Sequence, residues 1–362
     1  MVKIKFALVG CGRISKKHAE TITKHLKEKA ELIAVADTKI DRAEMVGKEY
    51  NVPYYKSYDK MLKEHPEIEV VNILTESGNH AKHTVDIAKK YHKHIIVEKP
   101  MALTLADADE MIRTCDEAGI KLFVVKQNRY NLPVIKLREV LEKGKFGKLV
   151  MGSVRVRWCR PQAYYDQDEW RGTWAMDGGV FTNQASHHID LLEWMLGEPV
   201  SVFAKSRTAL ADIETEDTGV AIIKFKSGAL GVVEATTATR PKDLEGSLSI
   251  LGEKGSVVIE GFAVNEMKTW NFEDLNEKDE KNILNNFNEK PNNVYGFGHI
   301  RYLDNVCESL LHKKKALVDG LEGRKSLELI NAIYESIETG KEVFLRFQPN
   351  KCRLGERNGS NH

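Results

Sequence analysis

The sequence lacks any excess of charge of one sign and any long apolar run. Its 362 residues contain 54 Lys and Arg and 53 Asp and Glu, which gives a formal net charge of +1. A chain so balanced has no strong overall field to attract nucleic acid or an anionic membrane. No apolar stretch approaches the ~18 residues that a membrane-spanning helix requires. The start, MVKIKFALVGCG, enters a strand-like pattern without a signal-peptide cleavage site. We therefore expect a cytoplasmic protein with no nucleic-acid or membrane partner.

The sequence also lacks the spacings that are typical of disulfide frameworks and metal sites. The cysteines are odd in number and none has CxxC spacing, so we expect reduced thiols. They are Cys11, Cys115, Cys159, Cys307 and Cys352. His80 and His83 lie three residues apart, and His92 and His94 two apart, but no cysteine or carboxylate completes a ligand set at either place. The sequence predicts no metal site.

Residues 1–125 alternate short apolar runs with amphipathic stretches. The runs are continuous rather than alternating, which is typical of strands buried on both faces of a parallel sheet. They are KIKFALV (3–9), ELIAVAD (31–37), VVNIL (70–74), HIIVE (94–98) and KLFVV (121–125). Strand–helix alternation over this length predicts a doubly wound α/β domain.

The pattern changes after residue 125. Runs such as GVAIIKFKSGALGVVEATTA alternate apolar and polar residues about a Ser-Gly turn and predict antiparallel hairpins. With helices predicted at 183–196, 300–311 and 324–339, residues 126–350 form an α+β domain with a largely antiparallel, open-faced sheet. The uncovered face predicts packing against another subunit. We expect a loop at the Asn-rich residues 273–293 and a flexible tail at residues 351–362.

The motif VGCGRIS (9–15) is the strongest local signal. Gly10 and Gly12 follow a predicted strand and open a predicted helix, as in sites where the backbone approaches a pyrophosphate at a helix N-terminus. Asp37 ends the second strand, where a carboxylate accepts hydrogen bonds from ribose hydroxyls and repels a 2′-phosphate. The pattern predicts NAD as the cofactor. Arg13 and Lys39 leave NADP as the alternative.

A second motif ends the strand HIIVEKP (94–100). Glu98 and Lys99 lie at the carboxyl edge of the predicted sheet, where doubly wound folds bind ligands, and Pro100 fixes the turn. With the G-x-G start and the mixed second domain, this EKP turn resembles the glucose–fructose oxidoreductase/inositol dehydrogenase family of NAD(P)-dependent enzymes. The resemblance covers residues 1–347. It implies a cofactor site of Gly10, Gly12, Arg13, Ile14, Asp37, Thr75, Asn79, His80, Glu98, Lys99 and Gln127.

The family's third motif, Asp-x3-His followed by x2-Asp, is matched by the run 178–199. His187 occupies the histidine position and Asp190 the later acid, but Asn183 stands where the family has Asp. On a helix, residues four apart share a face, so we expect Asn183 and His187 to converge on one substrate oxygen. An amide positions a hydroxyl but takes up no proton at neutral pH. His188, one residue on, is interpreted as structural.

Three further segments indicate a branch of this family. QNRYNLPV (127–134), WRGTW (170–174) and NNVYGFGHIRYL (292–303) resemble the UDP-N-acetyl-2-amino-2-deoxyglucuronate 3-dehydrogenases, which implies a UDP-sugar substrate oxidised at C3 for surface-polysaccharide synthesis. Arginine forks suit its carboxylate and phosphates, and aromatic rings suit uracil or sugar. The substrate-binding residues expected are Lys99, Arg129, Tyr130, Asn131, Arg160, Trp170, Arg171, Thr173, Asn183, His187, Tyr295 and His299.

The catalytic hypothesis assigns roles to Lys99, His187 and Asn183. The unperturbed pKa of histidine, about 6.5, favours His187 as the base, with Lys99 as hydrogen-bond donor to the reacting oxygen; the reverse assignment stays open. The alternatives are a free-polyol dehydrogenase acting on inositol, an NAD-dependent glycosidase and a dinucleotide-binding regulator without chemistry. The resemblance also implies a dimer or, preferably, a homotetramer, and a 2-oxo acid that reoxidises bound NADH.

Overall fold

The computed structural model describes residues 3–274, 276–289, 296–345 and 354. The chain forms two compact units, Met1–Lys126 with His299–Arg324 and Gln127–Gly298 with Lys325–His362. The sequence-based boundaries assign all of residues 126–350 to the second domain; in the structure, residues 299–324 belong to the first unit. The predicted tail lies outside the described residues, apart from Leu354.

The first unit is built on a six-stranded parallel sheet in the order β3-β2-β1-β4-β5-β6. Its strands are β1 (Ile4–Val9), β2 (Ala30–Ala36), β3 (Tyr54–Tyr55), β4 (Val70–Ile73), β5 (His94–Val97) and β6 (Leu122–Val124). The central strands are buried along almost their whole length, as the continuous apolar runs predict. This order is that of a Rossmann sheet, and the predicted doubly wound α/β domain is confirmed.

Helices connect these parallel strands, as parallel pairing requires. They are α1 (Ser15–Glu20), continued by a π-helical turn at Thr21–His25, α2 (Ile40–Tyr50), α3 (Tyr58–Glu64), α4 (His80–Tyr91) and α5 (Leu105–Glu117). Thr104 caps α5, because its hydroxyl accepts a hydrogen bond from the backbone N–H of Asp107 at 3.1 Å.

The second unit is built on an eight-stranded sheet in the order β13-β12-β11-β7-β10-β9-β8-β14. Its strands are β7 (Leu149–Arg157), β8 (Pro199–Arg207), β9 (Thr218–Phe225), β10 (Leu230–Thr236), β11 (Glu245–Gly252), β12 (Gly255–Glu260), β13 (Glu266–Phe272) and β14 (Val343–Phe344). Neighbouring strands run antiparallel except β7 and β10, which are parallel. The predicted largely antiparallel sheet is confirmed, and the run predicted to fold about a Ser-Gly turn is the hairpin of β9 and β10.

The helices that follow in the chain are α6 (Leu132–Glu142), α7 (Gln162–Tyr165), α8 (Ser186–Leu196), α9 (Glu277–Asn286), α10 (Gly298–Leu311) and α11 (Gly320–Thr339). The expectation of a loop throughout residues 273–293 is wrong, because α9 occupies its centre. Asn276 caps that helix through the N–H of Asp279, and three acids in its first turn complement the helix dipole. Among the described helices, none combines the length and apolar character needed to cross a membrane.

Candidate active site

The parallel register of the first unit brings the predicted cofactor residues to one edge of the sheet. Val9 pairs with Ala36 and with Ile73, and Ile73 pairs with Val97. The residues that follow three of these strand ends are Gly10, Asp37 and Glu98. Strand topology therefore aligns the glycine turn, the ribose carboxylate and the EKP turn along the carboxyl edge, where such sheets bind ligands.

The glycine turn has the form that a dinucleotide requires. Gly10 has φ +99, and a Cβ there would lie 2.6 Å from the Leu74 carbonyl oxygen, so only glycine fits. A Cβ built at Gly12 would meet nothing within 4 Å, which leaves its backbone open to a phosphate. Asp37 accepts hydrogen bonds from the backbone N–H of Cys11 at 2.7 Å and of Lys39 at 2.8 Å. The half-buried carboxylate is thus fixed beside the turn, and these residues fit NAD.

The turn after β4 is held by His80. The ring is 1% exposed, with Nδ1 2.7 Å from the Pro100 carbonyl oxygen and Nε2 3.0 Å from that of Thr75. Burial lowers the pKa of His80, while these carbonyl contacts oppose the shift. Asn79 donates to Glu76 at 2.7 Å. His80, one of the predicted cofactor residues, thus joins the turn after β4 to the EKP turn.

A buried hydrogen-bonded cluster lies behind Lys99. Asn72 Nδ2 is 2.9 Å from His18 Nδ1, which places the His18 ring proton on Nε2, 2.9 Å from Glu98 Oε1. Glu98 Oε2 accepts from the backbone N–H of Lys99 at 3.1 Å, and His299 Nε2 lies 3.6 Å from Glu98 Oε1. Burial favours a raised pKa at Glu98, but the hydrogen bond from His18 and the nearby His299 ring outweigh it and hold that pKa well below its usual range.

The cluster bears on two sequence-based predictions. Ligand atoms of His18, Glu98 and His299 all lie within 4.8 Å of one another, yet Asn72 and Glu98 already occupy both ring nitrogens of His18. The structure therefore gives this set a hydrogen-bonding role. His299, predicted to bind substrate, lies in the first unit beside Glu98 and is 1% exposed.

In the second unit, His187 stands on the first turn of α8. Its Nε2 lies 2.8 Å from the Gln127 side-chain amide, and both side chains are buried. Gln127, predicted to bind the cofactor, thus contacts the predicted base and orients its ring. His188 is fully buried with its ring edge-on to Trp158, and burial lowers its pKa to about 3. A structural role for His188 agrees with that environment.

Asn183 does not lie on the helix. The expectation of a helix from residue 183 is wrong, because α8 begins at Ser186 and Asn183 belongs to the preceding turn, with its N–H bonded to the Gly179 carbonyl at 3.0 Å. Its side-chain Nδ2 donates to Asp177 Oδ1 at 2.6 Å. The argument from helical spacing therefore does not apply to Asn183, and a buried carboxylate orients its amide.

Two predicted arginines are stacked on aromatic rings. The guanidinium of Arg171 lies 4.7 Å from the Tyr164 ring centroid and 4.6 Å from that of Trp170, and donates to the Tyr164 hydroxyl at 2.9 Å. Arg160 lies over Trp158 and Tyr164 and pairs with Asp243 at 2.9 Å. Stacking of this kind fixes the guanidinium plane and prepares it for an anion.

Other predicted substrate residues have firm partners within the second unit. Arg129 is 3% exposed and forms a two-point ion pair with Asp190, 2.8 Å for each bond, over Trp194. Asn131 donates to the Ala263 and Val264 carbonyls at 3.0 and 3.2 Å.

The remaining predicted substrate residues lie in different environments. Tyr130 is buried, which raises its pKa, and the Thr173 hydroxyl donates to the Trp170 carbonyl at 2.8 Å. Tyr295 lies outside the described residues.

Sequence reasoning did not select His18, Asn72 or Asp177. Each of them is a weak signal alone. His18 lies on a charged first helix, Asn72 inside a Val-Ile strand and Asp177 before a Gly-Gly pair. A buried polar residue within an apolar strand, as Asn72 is, offers the only clue among them.

The sheet order, the glycine turn and the ribose carboxylate define a dinucleotide-binding protein of the Rossmann class. Residues 4–126 match the domain described as "Oxidoreductase family, NAD-binding Rossmann fold", and residues 138–345 match "Oxidoreductase family, C-terminal alpha/beta domain". The chain belongs to this oxidoreductase family, that of glucose–fructose oxidoreductase and inositol dehydrogenase. The expected family is confirmed; the protein is an enzyme, an NAD-dependent oxidoreductase.

Two solved structures are similar to this chain over nearly its whole length. The WlbA dehydrogenase from Bordetella pertussis, in complex with NADH and UDP-GlcNAcA, is 41% identical, with a TM-score of 0.91 over 96% of this chain and 99% of that one. The WlbA dehydrogenase from Chromobacterium violaceum, with the same two ligands, is also 41% identical, with a TM-score of 0.89 over 96% and 97%. Myo-inositol 2-dehydrogenase of Thermotoga maritima is 26% identical over 347 residues, 94% of this chain and 98% of the relative.

Proposed function

We propose that this enzyme oxidises the 3-hydroxyl of a UDP-linked N-acetylated glucuronate with NAD. The observation that carries the proposal is the 41% identity, over nearly the whole of both chains, to the dehydrogenase solved with NADH and UDP-GlcNAcA. The 26% identity to the inositol enzyme covers as much of the chain and is much lower. The proposed setting is the cytoplasm and the synthesis of surface-polysaccharide sugars.

The second unit supplies groups suited to such a substrate. A UDP-linked uronate carries about three negative charges, which arginine matches with two-point hydrogen bonds. Arg171, held between Tyr164 and Trp170, is the residue we assign to an anionic group. Its neighbour Asp168 lies 3.5 Å from Nε, so this ion pair loosens when a substrate anion takes its place.

The chain's own residues would move the proton. NAD, when bound, accepts the hydride from C3. We assign proton removal from the 3-hydroxyl to Nδ1 of His187, with the Gln127 amide turned so that its oxygen accepts the Nε2–H of the ring. We assign to Lys99 a hydrogen bond to the same oxygen. The buried Glu98 carboxylate accepts the Lys99 backbone N–H and fixes the turn that carries this lysine.

The second candidate is a dehydrogenase of free polyols. The inositol 2-dehydrogenase relative favours it, because the two chains match over nearly their full lengths. Asn183 argues against it, because a neutral amide stands where the family pattern has a carboxylate. This candidate predicts turnover of free myo-inositol and no competition by UDP.

One assay separates the two candidates. Absorbance of NADH near 340 nm is followed with UDP-GlcNAcA, with myo-inositol and with added UDP. We expect reduction of NAD by the UDP-sugar, competitive inhibition by UDP, and a rise of about tenfold in KM with less change of kcat in Arg171→Ala. Arg157→Ala, which removes an arginine paired with Glu234 on β10, is the matched control and leaves KM unchanged. Turnover of myo-inositol that is indifferent to UDP would establish the second candidate.

NADH recycling belongs to the same proposal. We propose that a 2-oxo acid reoxidises NADH that stays bound. Single-turnover mixing of the enzyme with UDP-sugar, followed by a 2-oxo acid, should raise and then lower the absorbance without release of NADH. Release of NADH into solution before reoxidation would contradict it.

We also propose a homotetramer formed through the open face of the second sheet. Phe203 and Ile222 are cross-strand neighbours, 39% and 58% exposed, and Val232 continues the stripe onto β10. An apolar stripe across three strands is typical of a subunit interface. Light scattering should give four chains for the wild type and fewer for Ile222→Lys, whereas a monodisperse wild-type monomer would refute the proposal.

A further inference from the structure

One face of α8 carries His187, Asp190 and Trp194. These residues recur at spacings of three and four, so they lie on the same side of the helix. A short turn of 3-10 helix, Gln127–Tyr130, belongs to the same unit and contacts this face. Asp190, the later acid of the family's third motif, takes no part in the proposed proton transfer. Its place beside the proposed base therefore needs another explanation.

Two pairs of buried side chains connect the turn to this face of α8. The Gln127 amide lies 2.8 Å from His187 Nε2. Two residues further along the turn, Arg129 donates from Nε and from Nη2 to the two carboxylate oxygens of Asp190, at 2.8 Å each. The amide that contacts the proposed base and the arginine therefore share one short turn. A shift of this turn against α8 would move the amide away from the His187 ring.

The ion pair between Arg129 and Asp190 has the geometry of a fixed anchor. The two side chains are 3% and 2% exposed, so water competes little for their hydrogen bonds. The guanidinium also lies over the Trp194 ring, 4.8 Å from its centroid, which fixes the plane of the fork. Because Asp190 takes the Nε–Nη2 edge at two points, the contact fixes direction as well as distance.

We propose that Arg129 and Asp190 are positioning residues, which hold the turn against α8 so that the Gln127 amide keeps the His187 ring in place. This role rests on the proposed function, in which His187 removes the proton, and adds two residues to it. Arg129 then has a role other than the substrate contact expected from the sequence. The two roles differ in kinetics, because a residue that positions the base affects kcat, whereas a residue that binds the sugar nucleotide affects KM.

The first experiment replaces the fork and keeps the charge. Arg129→Lys retains a cation beside Asp190 but loses the two-point contact. The turn is then held less firmly, and kcat should fall about tenfold while KM stays within about twofold of the wild type. In a Gln127→Ala background, which has lost the amide through which the arginine acts, the same change should cost little further. Steady-state kinetics with UDP-GlcNAcA at saturating NAD measure both constants.

Arg138 offers the matched control. Its guanidinium lies over the same Trp194 ring, also 4.8 Å from the centroid, and it donates to the Trp194 carbonyl and to Glu142. Arg138→Lys therefore removes an equal stacking contact with α8 and leaves the ion pair of Asp190 in place. We expect kcat and KM close to those of the parent in the wild-type and Gln127→Ala backgrounds alike.

The second experiment separates orientation from stability. Arg129→Met removes the guanidinium that pairs with the buried Asp190 carboxylate and should lower Tm by about 10 °C. Arg129→Met/Asp190→Leu replaces both charges by apolar side chains, which often costs a buried site no stability, and should restore most of the lost Tm. Its kcat should stay about tenfold below that of the wild type, because apolar packing lacks the directed two-point contact.

The outcomes separate the role of this ion pair from the proposed function. If the wild type does not reduce NAD with UDP-GlcNAcA, the proposed function is wrong, and the same variants are compared on the substrate that the enzyme does oxidise. Three results would each overturn the positioning role. They are a raised KM with unchanged kcat in Arg129→Lys, an equal loss of kcat with and without the Gln127 amide, and wild-type kcat in the apolar double variant.

Discussion

The two units place their functional side chains by different means. In the first, Gly10, Asp37 and Glu98 each follow a strand end, and the parallel register alone brings them to one edge. In the second, His187 and Asn183 are oriented by other buried side chains, Gln127 and Asp177. A position set by backbone register tolerates side-chain change elsewhere, whereas a position set by side-chain contacts depends on each partner. Substitutions should therefore have local effects in the first unit and coupled effects in the second.

The largest expected effect is at His187. If His187 is the base, His187→Asn should lower kcat by about 10²–10⁴ and flatten the acidic limb of the rate profile, while NAD and substrate still bind. Stopped-flow kinetics from pH 5 to 9 would measure this. His188→Asn, one residue on, should lower Tm but keep the acidic limb. Near-normal turnover in His187→Asn would reduce His187 to a packed helix residue.

Lys99 belongs to the first unit, and its substitution tests that unit. Lys99→Met removes a donor to the reacting oxygen and should lower kcat by about 10²–10³. Lys121→Met, in the same unit, removes a lysine that donates to the Ser309 carbonyl at 2.9 Å and should leave kcat unchanged. In the double variant Lys99→Met/His187→Asn, the loss of kcat should be far smaller than the product of the two single losses. An acidic limb that survives in His187→Asn and vanishes in Lys99→Met would make Lys99 the base.

The contrast between the units also explains what the sequence could predict. Continuous apolar runs and the glycine pair specify a Rossmann sheet, and topology then gives the places of Asp37 and Glu98 without any side-chain information. Helical spacing was a poor guide at Asn183, because the first turn of α8 begins three residues later and the preceding backbone follows buried contacts with Glu216 and Tyr334. Contacts such as Asn72 to His18 join residues 54 apart, and no local pattern encodes them.

Asp37 should show the local effect expected of a position set by register. Asp37→Ala should weaken NAD about ten- to a hundredfold and relax discrimination against NADP, because a carboxylate–ribose contact is worth roughly 1.5–3 kcal/mol. Substrate affinity should stay the same, since the second unit is untouched. Isothermal titration with NAD and NADP, with Asp37→Asn as the variant of equal size, would measure this. A wild type that prefers NADP would show that Asp37 does not bind the ribose.

The smallest expected effect is at Glu216. Here the thermal stability of the protein tests the second unit, in which buried side chains orient one another. The Glu216 carboxyl accepts the Phe181 N–H at 3.0 Å and the Tyr334 hydroxyl at 2.9 Å. Burial, aided by the charge of Asp177, raises the pKa of Glu216 from 4.5 to about 7. Between these values the native state holds a proton that the unfolded chain has released, so stability falls as pH rises through this window and the loss is complete above about 7.

Glu216→Gln removes the ionisation and keeps an acceptor for both donors. Tm should therefore rise, by an amount on the order of 5 °C, at pH 8 and change little at pH 5. Calorimetry at both values measures the difference. Glu214→Gln, two residues earlier, serves as the control, because it replaces another carboxyl that accepts a backbone N–H, that of Trp174 at 2.9 Å. Equal changes of Tm at pH 5 and pH 8 would mean that Glu216 titrates normally. The strength of the hydrogen bonds in the Asp177–Asn183 turn would then not depend on the charge of Glu216.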